Sequence, residues 1–143
     1  MTRLAEAIGA GLLAGVAGTA AMTASSALEA KLRDRGASSA PADAASKVLG
    51  VEPTDPAGFS NLVHWSYGTG WGIARGVIAL AGLRGPKATA AHFATVWGWS
   101  LVMLPALDVA PPVWQQPPQE VAIDALHHAV YATTTSAAYA VLA

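Results

Sequence analysis

Hydrophobic and polar positions along the chain fall into long blocks rather than short alternations. Uncharged, mostly apolar runs cover 7–28, 88–107 and 125–143, and a fourth, 60–83, is broken only by Arg75. Each approaches or exceeds the roughly 18 residues that cross hydrocarbon as a helix. The pattern predicts an all-α fold, a four-helix transmembrane bundle with helices at about 5–30, 60–83, 88–107 and 119–142. A water-soluble bundle would carry charges at helical spacing on each solvent face, and none of the four runs does.

The one long polar stretch, "KLRDRGASSAPADAASKVLGVEPTDPAG" at 31–58, separates the first two runs. Within it Ser39 is placed to cap a short helix from near Pro41 to Gly50, expected outside the membrane and over one mouth of the bundle. The other connections are short, and Pro111, Pro112, Pro117 and Pro118 sit where helices must stop or start. We expect a single integral membrane domain over 1–143. An even number of crossings puts both termini on one face. Arg3, Arg84 and Lys87 then oppose Lys31, Arg33, Arg35 and Lys47, so the positive-inside count selects neither orientation. Arg3 and the later "TASSA" resemble a secretory signal, but the apolar run exceeds the 7–15 residues of a signal core, and helix 1 is expected to be retained.

Composition sharpens this picture. The chain is 53% hydrophobic and 12% charged, about half the charged share usual in soluble proteins. A net charge of -1 without a basic run argues against nucleic acid as a partner. With no cysteine there is no disulfide, thiolate metal site or cysteine nucleophile. The lipid bilayer is the expected partner, together with a second copy or another membrane protein.

Two patterns bear on packing. Gly68, Gly72 and Gly76 in the second run, and Gly11, Gly15 and Thr19 in the first, recur at intervals of four. Each set makes a groove in which a neighbouring backbone can approach closely, so these two helices are expected to touch there. In addition, "LVHWSYGT" at 62–69 and "LHHAVYAT" at 126–133 align without gaps and share Leu, His, Tyr and Thr. That echo suggests two repeated helical hairpins related by an axis along the membrane normal.

Candidate chemistry gathers at one end. The echo selects His128, not His127, as the inward partner of His64. Asp124 and Glu120 extend His128 into a ladder on one helix face. Topology brings Glu29, His64, Asp108, Glu120, Asp124, His127 and His128 into one half of the bilayer, with His92 in the other. Ionisable groups inside a span usually pair and mark a site. His64, Asp124 and His128, helped by Glu29, could hold a proton or a divalent metal such as zinc; a structural Asp124–His128 bond explains the same residues equally well. A haem between His64 and His128 is disfavoured because His128 lies deeper. Glu120 suits a hydrated helix start, His127 an interfacial position, and Tyr67 a packing role with a hydroxyl partner. Arg75 is expected to reach toward Arg84 and Lys87 or to be buried away from this cluster.

The run "PALDVAPPVWQQPPQEVAIDALHH" resembles the signature of the YagU-type inner-membrane proteins, a family of unknown function. Pro105, Pro111, Pro112, Trp114, Pro117, Glu120, Asp124 and His128 fall on its positions. "HWSYG", with His64 and Tyr67, is similar to a weaker family pattern. The resemblance implies a multi-pass protein of the inner or plasma membrane and brings no reaction, cofactor or substrate. A structural or accessory membrane subunit, requiring no cofactor, is the first reading. Proton or divalent-cation binding or transport is the second. An enzyme ranks third, because no nucleophile, base and orienter stand at recognisable spacing.

Overall fold

Helices form where the apolar runs predict them, and proline and local turns set their ends. In the computed structural model, which describes residues 2–143, they are α1 (Thr2–Leu32), α2 (Ala40–Leu49), α3 (Pro56–Leu80), α4 (Gly85–Ala106) and α5 (Pro118–Leu142). A 3-10 turn, Val113–Gln115, precedes α5, and the described residues contain no strand. Proline occupies the first turn of α2, α3, α4 and α5, where its missing N–H costs no hydrogen bond. Asp55 caps α3 by accepting from the Gly58 N–H at 3.0 Å. Gly50 ends α2 at φ 65°, a left-handed conformation that glycine adopts without strain.

Ser39 departs from its expected role. Its backbone is helical, φ -89° and ψ -8°, and its hydroxyl donates to Asp43 Oδ2 at 2.7 Å. A capping side chain needs a non-helical backbone to reach the free amides of the first turn, so Pro41 and not Ser39 defines the start of α2. This helix lies against α3. Lys47 Nζ fastens it by donating to the carbonyls of Leu107 and Asp108, at 2.6 and 3.0 Å, beyond the end of α4.

Helices adjacent around the bundle run antiparallel, and α3 and α5 meet across it in parallel. α1 packs against α3 and α5, α4 packs against α5 and α3, and α1 and α4 make no extended contact. The closest approach is the expected groove. A Cβ built on Gly11 would stand 2.5 Å from Gly72 O, and one on Gly15 would stand 2.5 Å from Thr69 O. One on Gly72 would lie 2.8 Å from Gly15 Cα. Further along the same seam Gly68 abuts the Thr19 side chain and Gly76 abuts the Ala7 backbone.

What fills the interior is small or polar: Ala14, Ala88 and Ala132, with Thr19, Arg75, His92, His127, Thr135 and Ser136. Tyr131 and Tyr139 are the large buried rings. Val96 is buried, but many large apolar side chains lie outside, with Leu13 62%, Leu62 67% and Val102 65% exposed. By length and apolarity one stretch among the described residues, Arg3–Leu32, qualifies as a membrane crossing, with mean hydropathy 1.5 in its window. Four were expected. α3, α4 and α5, which carry Arg75, His92 and the His127–Ser136 face, are not apolar enough to qualify.

Candidate functional site

The polar side chains form three groups at one end of the bundle and a fourth in its middle. At the end of α1, Glu29 accepts from Arg33 Nη1 and from Arg35 Nε, each at 3.0 Å, and Arg35 Nη2 closes a second contact with it. Arg33 also reaches the start of α5, donating from Nη1 to Glu120 Oε2 at 3.0 Å and pairing Nη2 with Oε1. Glu120 and Glu29 together raise the Arg33 guanidinium further above its ordinary value by hydrogen bonding to its charged form. Beneath this clamp the His127 Nδ1 shares a 2.8 Å hydrogen bond with Ser25 Oγ, and its Nε2 lies 3.8 Å from Glu29 Oε2.

His64 forms the second group. Its Nε2 lies 2.8 Å from Thr23 Oγ1, and that hydroxyl already donates its one proton to Thr19 O at 2.7 Å. The imidazole N–H must therefore be the donor, which fixes the Nε2–H tautomer of neutral His64.

The third group sits on the α4 side. Asp124 Oδ2 accepts from Trp97 Nε1 at 2.8 Å. His128 Nδ1 donates to the backbone carbonyl of Asp124 at 2.9 Å and lies 3.4 Å from its Oδ1.

Expectation and structure part here. Asp124 and His128 do pair, but His64 turns to α1 while Asp124 turns to α4, so the two histidines of the echo are not partners. Both adjacent histidines are withdrawn from solvent, with side chains 8% and 12% exposed, but it is His127 that bonds to α1. His127, Tyr131, Thr135 and Tyr139, four residues apart, make the buried stripe of α5, and one step along a helix turns a side chain by about 100°. His128 therefore sits at the edge of that stripe. Glu120 is engaged by Arg33, and Tyr67 stands near Met103, its hydroxyl 3.9 Å from the Sδ. His64, Asp124, His128 and Glu29 thus fall into three groups, and no set of three His, Asp or Glu side chains able to hold a metal occurs among the described residues.

Sequence reasoning underweighted the middle of the bundle. His92, fully buried, donates from Nε2 to Trp71 O at 3.1 Å and packs on Tyr131 with ring centroids 5.6 Å apart. Tyr131 donates its hydroxyl to Gly68 O at 2.6 Å. Of the two expectations for Arg75, burial away from the Glu29–Asp124 end holds: it is 4% exposed, donates from Nε to Ser136 Oγ at 3.1 Å, and lies over the Tyr139 ring with Cζ 4.6 Å from the centroid. The signal was available, since Arg75 stands three residues after Gly72 and beside Gly76, next to the face that meets the bundle.

No family model, curated protein or solved structure matches the chain. The geometry stands by itself: side-chain hydrogen bonds join α1 to α3, α1 to α5, α3 to α5 and α4 to α5, while Arg75 Nη1, His92 Nδ1, His127 Nε2 and Thr135 Oγ1 are buried without a hydrogen-bond partner.

Proposed function

We propose that this chain is a small multi-pass protein of the cell membrane, a four-helix transmembrane bundle with a structural or accessory role. The observation that carries the reading is the inverted distribution of side chains. Large apolar groups such as Leu13, Leu62, Trp99 and Val102 face outward, while alanine, glycine, threonine and histidine fill the interior. Water would penalise that surface at about 25 cal/mol per Å² of apolar area. Lipid does not, and in lipid close backbone packing and interhelical hydrogen bonds are what hold helices together. The YagU-type resemblance of 105–128 belongs to the same reading.

An accessory role is favoured over cation or proton transport by how the polar groups are used. Glu29 binds arginines, His64 binds a threonine and Asp124 binds a tryptophan. The His64 and Asp124 contacts fasten one helix to another, the Glu29 contacts close the end of α1, and no shared ligand position joins them. Reporter fusions near residue 40 and at residue 143 test the topology: they should report opposite sides of the membrane, and reports from the same side would refute four crossings. Because the chain has no cysteine, single cysteines at Trp99 and Val102 on the outer face of α4 provide clean cross-linking probes. Cross-links to a second copy or to a membrane protein support an accessory role; a monomer free of cross-links in native membranes argues against it.

A further inference from the structure

At the end of the bundle opposite Glu29 and Glu120, the start of α1, the last turn of α5 and the α3–α4 turn border a half-open cavity of about 820 Å³. Three arginines line it: Arg75 in its wall, Arg3 from α1 and Arg84 from the turn. Arg75 is the unusual member. Its guanidinium is almost wholly withdrawn from solvent, Ser136 satisfies Nε and Tyr139 covers one face, yet Nη1 has no hydrogen-bond partner. No carboxylate among the described residues forms an ion pair with Arg75, Arg3 or Arg84. Glu6, the one acidic residue lining the cavity, is exposed and bonded to none of them.

A buried cation without a counter-ion is costly, and guanidinium does not escape the cost by losing its proton, because arginine stays charged in proteins. Its planar fork of donors matches the oxygens of phosphate, to which it bonds in pairs. Ser136 and Tyr139 hold Arg75 in one orientation in the cavity wall, with its Nη1 buried and without a partner.

We propose that this cavity is a phosphate-binding site, with Arg75 in its wall and the exposed Arg3 and Arg84 beside it. The ligand chemistry is a phosphate group, carried either by an anionic lipid headgroup or by a free phosphate. In the proposed bilayer placement the cavity lies at the interface, at headgroup level. Binding of free phosphate does not depend on that placement, so it can succeed even if the membrane reading fails.

The test follows thermal unfolding of the full chain in neutral detergent. One arm titrates inorganic phosphate at constant ionic strength; the other titrates phosphatidylglycerol against phosphatidylcholine. A saturable rise in the unfolding midpoint with inorganic phosphate assigns a free-phosphate site, and a rise with phosphatidylglycerol alone assigns a lipid site. Arg3→Gln with Arg84→Gln, both at exposed positions, should weaken apparent binding by about tenfold or more, since each removes a charged hydrogen-bond donor. Glu6→Gln should tighten it, and Arg75→Gln should abolish saturation. If Arg75→Gln does not fold, the Arg3 and Arg84 variants decide. No saturable response in either arm, or binding unaltered in the double Arg3 and Arg84 variant, overturns the proposal.

Discussion

Replacing Gly72 with alanine adds one methyl group at the tightest point between α1 and α3. The new carbon would sit 2.8 Å from Gly15 Cα, and it would also press on the Gly11 carbonyl. Carbon atoms rest at about 3.5–4.0 Å, so the helices must separate by about 1 Å. Backbone lines both sides of the contact, and no side chain can rotate away. Separation also loosens the Gly15–Thr69, Thr19–Gly68 and Ala7–Gly76 contacts along the seam. Overpacking of this kind costs about 1–3 kcal/mol, offset by up to about 1 kcal/mol because alanine favours helix over glycine. Gly70, two residues away, is the internal control: a Cβ there meets nothing within 4 Å, so alanine should be neutral or stabilising. Unfolding in mixed micelles titrated with dodecyl sulfate should place Gly72→Ala about 1–3 kcal/mol below Gly70→Ala, with Gly72→Leu lower still. Gly15→Ala combined with Gly72→Ala should cost less than the sum of the two, because the first change has already parted the helices. Equal stability of the two single alanine variants would show that the helices do not touch at Gly72.

His127→Ala should destabilise the bundle by about 1–2 kcal/mol in the same assay, because it leaves Ser25 without its partner and opens space between α1 and α5. His128→Ala should cost less than about 1 kcal/mol, since Trp97 still holds Asp124; the reverse order would contradict the placement of the two histidines. Arg33 ties α1 to α5 through Glu120 at an exposed position, so the coupling between Arg33→Ala and Glu120→Ala in a double-mutant cycle should be small and should vanish in high salt. A coupling insensitive to salt would mean that the pair is shielded from solvent.

Helix positions and the glycine seam were legible because both are local, periodic signals. Small residues every fourth position can face only one way, and Gly11, Gly15, Gly68, Gly72 and Gly76 lie where that spacing puts them. The expected His64–His128 pairing rested on the match between two octapeptides, and His64 bonds Thr23 instead while His128 keeps Asp124. His127 heads a stripe with Tyr131, Thr135 and Tyr139, which is the stronger physical signal. The environment of Arg75 was less accessible. Its partner Ser136 is 61 residues away, and Arg33 is 87 residues from Glu120. Such pairs follow from which helices become neighbours, which helical periodicity alone does not determine.

The way α5 closes the bundle has a consequence for biogenesis. Ser25 and His127 are 102 residues apart, so α1 waits for nearly the whole chain to be synthesised before that bond can form. The α1–α3 seam requires no part of α5 and can assemble while the ribosome is still working. Until the last helix arrives, Arg75 lacks Ser136 and Tyr139, and Glu29 lacks the His127 beside it. In the proposed bilayer a nascent chain ending before Pro118 would thus carry an arginine with no interior to hide it. A chain lacking the final helix leaves uncovered the polar surface that the complete bundle buries.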